Sequence, residues 1–149
     1  MRFENRNVAI AAGGSGAGVA CALDFLAEGA SVALYYDDEG WIAPALEKAD
    51  DEHLKLVRIN DFSDADELIS AGEELVSAWG KIDIAVAAIN APDNEKLLDM
   101  TEEEYQAIVS RISGGTLFFI QPLLKSMIEQ DYGRVCVVMS IAGRRNFPG

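Results

Sequence analysis

The stretch that decides the fold runs Val8-Ala-Ile-Ala-Ala-Gly13-Gly14-Ser15-Gly16-Ala17-Gly18, an apolar run followed by a turn of small residues. In an open α/β sheet, ligands bind beyond the carboxyl ends of the strands, where small residues let the backbone approach a pyrophosphate. The N–H groups and positive end of the following helix would then hold its charge. Taken alone, the glycine cluster predicts a tight turn as readily as a phosphate site, because Val19 breaks the strict GxGxxG pattern.

Short apolar runs recur along the chain and alternate with amphipathic stretches. The predicted strands are Val8–Ala12, Val32–Tyr36, Leu54–Ile59, Ile82–Ile89 and Val135–Met139. Each run is continuous rather than alternating in polarity, which is expected when both faces of a sheet are covered. The order β-α-β-α-β-α-β-α-α-β predicts an α/β fold with a doubly wound parallel sheet and helices on both faces.

Helix starts and stops support this order. Apolar residues recur every three or four positions over residues 65–79, which predicts one helix with a single buried face. Ser63 with Asp66, and Thr101 with Glu104, resemble capping boxes. Gly29 is expected to end the first helix, and a further helix is expected over Gly115–Gln130.

Composition limits the classes of partner. The chain has 149 residues with 12 Lys+Arg against 25 Asp+Glu, a formal net charge of -13. This length predicts one domain over residues 1–149. A surface this acidic would repel nucleic acid and anionic membranes. No apolar run approaches the roughly 18–20 residues of a membrane span. With no signal-peptide pattern at the N-terminus, these features predict a cytoplasmic, soluble protein.

Other kinds of site find no support in the sequence. The only Gly-Lys pair, Gly80-Lys81, is not followed by Ser or Thr, which excludes a P-loop. Cys21 and Cys136 lie far apart in apolar stretches, which favours buried free thiols over a disulfide, a metal site or a redox pair. A receiver-type signalling domain needs an acidic pair after the first strand, where Ala11–Gly14 stands.

The last predicted strand, Val135–Met139, is apolar on both faces and is followed by only ten residues, Ser140–Gly149. A strand of this kind needs a further strand or helix beside it, because an exposed apolar edge promotes aggregation. We therefore expect that the fold is truncated after its fifth strand, or that a partner chain covers this edge.

Five segments, in order, resemble the short-chain dehydrogenase/reductase family, which has a Rossmann-like fold. They are Ile10–Gly18 with Leu26–Ala30, Asn60–Asp64, Gly80–Val86, Leu98–Glu104 and Gly133–Gly143. The resemblance implies an oxidoreductase that moves hydride between a nicotinamide dinucleotide and an alcohol or carbonyl substrate. It also implies that the part of the family fold beyond residue 149 is absent.

The resemblance implies a cofactor site along the carboxyl edge of the sheet. Gly13, Ser15, Gly16, Ala17 and Gly18 would surround the pyrophosphate and the adenosine ribose. The same resemblance places Tyr36, Asp37, Asp61, Phe62, Ala88, Ile89 and Asn90 along the rest of the dinucleotide. A carboxylate after the second strand accepts hydrogen bonds from the ribose 2′-hydroxyl and repels a 2′-phosphate. With no Arg or Lys nearby in the sequence, Asp37 favours NAD over NADP. Asp61 is equally well explained as a neighbour of a helix cap.

Ser140 matches the catalytic serine of the family, which binds the substrate oxygen. Several departures accompany it: Ala11-Ala12 replaces Thr-Gly, Ala87–Asn90 replaces NNAG, and Ile112 stands where the family has a catalytic Asn. The Tyr-x-x-x-Lys motif, which donates the proton, would fall beyond Gly149.

Two interpretations therefore stay open. The first is an NAD(P)-dependent oxidoreductase, and the second is a degenerate member that binds nucleotide or a sister subunit without turnover. The resemblance also implies a homo-oligomer, because the family helix matching Thr116–Ile128 packs against its copy in another subunit. The apolar side chains of this helix are explained equally well by core packing. No metal site is expected.

Overall fold

The computed structural model describes residues 1–46, 53–91 and 98–145. Its strands are β1 (Asn7–Ala11), β2 (Ser31–Tyr36), β3 (Leu54–Arg58), β4 (Ile84–Ala87) and β5 (Arg134–Val137). Its helices are α1 (Gly16–Ala27), α2 (Glu39–Leu46), α3 (Ala65–Trp79), α4 (Glu102–Val109) and α5 (Gly115–Glu129). A π-helical turn, Ser110–Gly114, joins α4 to α5, and a short 3-10 turn, Ile141–Gly143, follows β5.

The five strands form one parallel sheet in the order β3-β2-β1-β4-β5. The chain starts at β1 in the middle, builds outward to β3, and then returns to place β4 on the other side of β1. This reversal opens a crevice at the carboxyl ends of β1 and β4. The predicted doubly wound parallel sheet is confirmed.

Each strand sends alternate side chains to opposite faces of the sheet, so the core has two layers. Tyr35 and the helix residues Leu68, Phe119 and Leu123 are buried on the face covered by α3 and α5. On the other face, Val8, Ile10 and Leu34 pack with α1 residues Val19 and Ala22. Residues from four strands, β1 to β4, and four helices thus form the two layers of the core.

The helix starts were partly predicted. Thr101 and Glu104 form the expected capping box: the Thr101 hydroxyl accepts from the Glu104 amide, and the Glu104 carboxylate accepts from the Thr101 amide. The Ser63 cap is wrong, because Asp64 takes that position and its carboxylate accepts from the Glu67 amide at 3.1 Å. Asp64 is one residue nearer the helix, and a carboxylate is an equally good cap.

The predicted strand Ile82–Ile89 is too long, since pairing extends only over Ile84–Ala87. Backbone hydrogen bonds continue on either side: the Asp83 amide donates to Asn7 and the Ala88 amide donates to Ala11. The flanking residues 82–83 and 88–89 are buried as well, so the apolar run in the sequence extends beyond the paired strand.

At the edge of the sheet, the apolar side chains of β5 are exposed, at the strand where the sequence predicts an uncovered edge. Val135 and Val137 are each 44% exposed, because β5 pairs on one side only, with β4. The prediction of buried thiols is wrong: Cys136, on the edge strand β5, is exposed, and Cys21, on α1, is half-buried.

The expectation that no segment has membrane-span length needs correction. The segments α4, the π-helical turn and α5 form one continuous helix, Glu102–Glu129, which is long and apolar enough to cross a membrane by length and composition alone. This is weak evidence, since core helices of soluble proteins meet the same criterion. In the structure, Phe119, Leu123 and Met127 of this helix are buried in the core.

Candidate active site

The glycine turn connects β1 to α1 at the crevice. Gly14 has φ +59, in the left-handed region that glycine adopts without strain. Ser15 caps α1, and its hydroxyl accepts a hydrogen bond from the Gly18 amide at 3.4 Å. Gly16 and Ala17 are exposed at the start of the helix, where the first amides have no acceptor within the helix. The turn therefore presents a positive helix end to the crevice.

Two glycines of this turn allow close approach of the backbone. A Cβ on Gly18 would lie 2.6 Å from the Cβ of Ala12, and a Cβ on Gly13 would lie 2.8 Å from the ring of Phe62. Ala12 itself is buried, so its methyl group fits only because position 18 has no side chain. The departure from Thr-Gly is therefore accommodated by the structure.

The end of β4 lies beside the turn. The Asn90 amide donates to the Gly13 carbonyl at 2.7 Å, which ties the two loops together. Ala88 and Ile89 are buried, and Asn90 is exposed at the mouth of the crevice. The predicted residues 88–90 thus lie along the same edge as the glycine turn.

Asp37, directly after β2, reaches the glycine turn. Its Oδ1 accepts a hydrogen bond from the Gly14 amide at 3.3 Å, and its Oδ2 is ion-paired with the Nη2 of Arg111. The sequence-based premise that no basic residue lies near Asp37 is wrong, because the fold brings Arg111 to it from 74 residues away. Tyr36 is half-buried at the end of β2, and its carbonyl accepts from the Ile59 amide at 2.8 Å.

Arg111 is the site residue that sequence reasoning missed. Besides Asp37, its Nε donates to the Asn90 carbonyl at 2.8 Å, and its guanidinium lies 5.5 Å from the ring centre of Phe62. The family resemblance points instead to the adjacent Ile112, which stands where the family has a catalytic Asn. In the structure Ile112 is half-buried in the same π-helical turn. No local pattern identifies Arg111, since its partners lie after three different strands.

Asp61 and Phe62 follow β3. The Asp61 carboxylate accepts from the Ser63 amide at 2.8 Å, and this bond, with a smaller contribution from Arg111, holds the pKa of Asp61 below its usual value. Asp61 thus forms a turn before the cap of α3, although its exposed carboxylate also faces solvent at the edge. Phe62 is fully buried, so its ring forms the floor beneath Gly13 and Arg111.

Ser140 lies beyond β5 on the same edge of the sheet. The Val138 amide still donates to the Ala87 carbonyl at 2.8 Å, so the chain leaves the sheet just before Ser140. Ser140 is exposed, and its carbonyl accepts from the Gly143 amide in the following turn. The structure therefore places Ser140 at the carboxyl edge, in line with the end of β4.

Two of the four tyrosine side chains, Tyr35 and Tyr132, are held by contacts away from the glycine turn. Tyr35 is fully buried in the core and donates to the Ala71 carbonyl at 3.1 Å, and burial raises its pKa well above the usual value. Tyr132 packs against the guanidinium groups of Arg6 and Arg134. Both side chains serve packing.

Comparison with known proteins agrees with this geometry. Residues 6–149 match the family model for short chain dehydrogenase. The chain is 29% identical to a sorbitol dehydrogenase of Cereibacter sphaeroides, over 97% of this chain and 56% of that protein. It is 24% identical to the NAD(+)-dependent 2-dehydro-3-deoxy-L-rhamnonate dehydrogenase of a Sphingomonas strain, over 99% of this chain and 58% of that protein. The chain thus spans a little over half the length of these relatives.

Solved structures share the fold. The chain superposes with a TM-score of 0.83 on carveol dehydrogenase from Mycobacterium avium, solved in complex with NAD, at 20% identity over 99% of this chain and 58% of that one. A short-chain type dehydrogenase/reductase from Mycobacterium ulcerans gives a TM-score of 0.84 at 22% identity, over 99% of this chain and 55% of that one. With the family model matching almost the whole sequence, the chain belongs to the short-chain dehydrogenase family.

Proposed function

We propose that the protein is an NAD(P)-dependent oxidoreductase that moves hydride between a nicotinamide dinucleotide and an alcohol or carbonyl substrate. The observation that carries this proposal is the glycine turn at the reversal of strand order, held open by the absence of side chains at Gly13 and Gly18. A backbone cradle at this point of a parallel sheet suits a pyrophosphate. Family membership supports the same reading.

In this proposal the chain binds and orients the dinucleotide. Gly13, Ser15, Gly16, Ala17 and Gly18 hold the pyrophosphate, because the amides at the start of α1 carry partial positive charge. Ala88, Ile89 and Asn90 line the crevice beside β4, and Tyr36, Asp37, Asp61 and Phe62 lie toward the adenosine end. When bound, the nicotinamide supplies the hydride chemistry.

NAD is the dinucleotide we propose as preferred. A carboxylate at position 37 lies within reach of the Gly14 amide, where it can accept from a ribose 2′-hydroxyl. A 2′-phosphate would bring a second negative charge to that carboxylate, whose own charge Arg111 balances only in part.

Ser140 is proposed to bind the substrate oxygen and to position the reacting carbon. Its place at the carboxyl edge, beyond the last hydrogen bond between β4 and β5, supports this role. Residues 1–149 contain no tyrosine followed four residues later by lysine. The proton donor is therefore left unassigned among these residues.

The organisation of the protein is part of the proposal. We propose residues 1–149 as one nucleotide-binding domain of a cytoplasmic, homo-oligomeric protein. The exposed apolar side chains Leu117, Leu124 and Ile128 on the outer face of α5 support a contact with a second copy.

A second candidate is a family member that binds the nucleotide without turnover. Ile112 favours it, because an apolar side chain in the π-helical turn cannot hold a water for proton relay. Saturable NADH binding without activity across a panel of alcohols and ketones would support this candidate over the first.

The proposed binding of pyrophosphate at the glycine turn can be tested by adding a negative charge there. Ala17→Glu places a carboxylate at the exposed start of α1, where it should raise the Kd for NADH by about tenfold or more through repulsion of the pyrophosphate. The fold should be undisturbed, since acidic residues in the first turn of a helix are favourable. The measurement is NADH fluorescence titration.

Ala20→Glu is the matched control, because Ala20 is exposed one turn further along α1. It adds the same charge away from the first amides and should change the Kd only slightly. Equal weakening by both variants would contradict a pyrophosphate site at the turn, and the absence of saturable NADH binding by the unaltered protein would remove the proposed function altogether.

A further inference from the structure

Arg111 spans the crevice at the end where the adenosine is proposed to lie. Its Nε bonds to the carbonyl of Asn90 after β4, and its Nη2 is paired with Asp37 after β2. Its guanidinium also lies against the ring of Phe62, which follows β3. One side chain from the helical segment between α4 and α5 thus contacts the ends of three strands.

The pair formed by Arg111 and Asp37 is mostly shielded from water. The two side chains are 18% and 15% exposed. A partly buried ion pair is screened less by salt than a surface pair, so each charge cancels much of the other's field. Asp37 therefore does not act as an isolated negative charge in this crevice.

The position of Arg111 is fixed by tight packing of its helix. A Cβ on Gly115, four residues further along, would lie 2.6 Å from the Phe62 carbonyl oxygen and 3.2 Å from Ile89. The backbone therefore approaches the ends of β3 and β4 closely. The π-helical turn that carries Arg111 is a widened form of helix that occurs frequently at functional sites.

We propose that Arg111 determines how strongly the site discriminates between NAD and NADP. This inference rests on the proposed function. An unpaired Asp37 would repel the 2′-phosphate of NADP. Arg111 balances that charge, and a guanidinium has five N–H donors, so the same group can hold Asp37 and a phosphate oxygen together. The pair lowers the penalty against NADP while leaving a carboxylate for the 2′-hydroxyl of NAD.

The test is a pair of fluorescence titrations, with NADH and with NADPH, on the purified protein and its variants. In Arg111→Gln, the Kd for NADPH should rise by about tenfold or more, and the Kd for NADH should change by less than about threefold. Arg111→Lys keeps the positive charge and should retain most of the original ratio. Arg2→Gln removes an exposed arginine paired with Glu28, away from the crevice, and should change neither Kd.

A double variant separates the effect of charge on binding from an effect on folding. In the double variant Asp37→Asn with Arg111→Gln, the repelling carboxylate is gone, so the ratio of the two Kd values should return toward that of the unaltered protein. Thermal unfolding confirms that each variant is folded.

Three results would count against the inference. Equal weakening of NADH and NADPH by Arg111→Gln would show that Arg111 only supports the fold. Unchanged Kd values for both dinucleotides in that variant would overturn the inference and leave the proposed function standing. Failure of the unaltered protein to bind NADH would overturn both.

Discussion

At the scale of single residues, the sequence predicts the residue types of the site better than their partners. Gly13 and Gly18 are required by close contacts with Phe62 and Ala12, in keeping with the role of small residues in this turn. Asp37 reaches the turn as expected for a residue after β2. Its pairing with Arg111 could not be predicted, because the two lie 74 residues apart and meet only through the sheet order.

A second cluster of charged side chains lies around Asp83, at the amino ends of β1 and β4 and so at the opposite end of these strands from the crevice. Its side chain is 1% exposed and bonds to the Asn7 amide at 2.9 Å, to Arg6 at 2.8 Å and to Lys81 at 3.3 Å. Burial alone would raise the pKa of Asp83, but these bonds outweigh it and hold the pKa below the ordinary value of 3.8. The ionised carboxylate therefore ties the starts of β1 and β4 together.

Asp83→Asn should reduce the free energy of unfolding by about 2 kcal/mol at neutral pH, since it weakens charge-assisted hydrogen bonds. Because the folded pKa is lowered, this contribution is present above the ordinary pKa and is lost as the pH falls through the folded value. The difference between the two proteins should therefore shrink in acid. Urea unfolding between neutral pH and about pH 3 measures it.

Glu39→Gln provides the comparison for Asp83→Asn, because Glu39 pairs with Arg58 on the surface, where both side chains are largely exposed. Its unfolding midpoint should match that of the unaltered protein. A loss in Asp83→Asn no larger than in Glu39→Gln would show that the buried cluster adds nothing to stability.

At the scale of elements, the apolar pattern predicts all five strands and the helices between them. The bounds of α3 and α5 follow the sequence closely, because each has a single buried face. The π-helical turn was not predicted, since nothing in Ser110–Gly114 distinguishes it from regular helix.

Packing of α1 against β1 can be tested by exchanging side chains across the contact. Gly18→Ala should cost about 1–3 kcal/mol of unfolding free energy, because the added methyl would lie 2.6 Å from the Cβ of Ala12. Adding Ala12→Gly removes that methyl and should restore part of the loss. Urea unfolding of the two single variants and the double variant gives the coupling. Strictly additive losses would contradict the contact.

At the scale of the whole molecule, two parts of the described sheet differ in character: the lateral edge at β5, and the carboxyl ends of the central strands. Around β5, the apolar side chains Val135, Val137, Val138 and Met139 are exposed, at the edge formed by the last strand to join. Around the glycine turn, loops from β1, β2 and β4 converge and bond to one another. The sequence indicates the first feature through its apolar pattern and the second through its glycines. The positions of these two features relative to each other follow only from the strand order of the folded sheet.

The proposed function depends above all on binding of the dinucleotide pyrophosphate at the glycine turn. The most direct measurement is the change in backbone amide NMR shifts of the protein as NADH is added. A dinucleotide bound at the turn should give the largest saturable changes at Gly14, Gly16 and Ala17, with smaller ones at Asn90 and Arg111. Changes confined to another surface, such as the groove between α3 and α5 lined by Val76 and Pro122, or no saturable change, would contradict it.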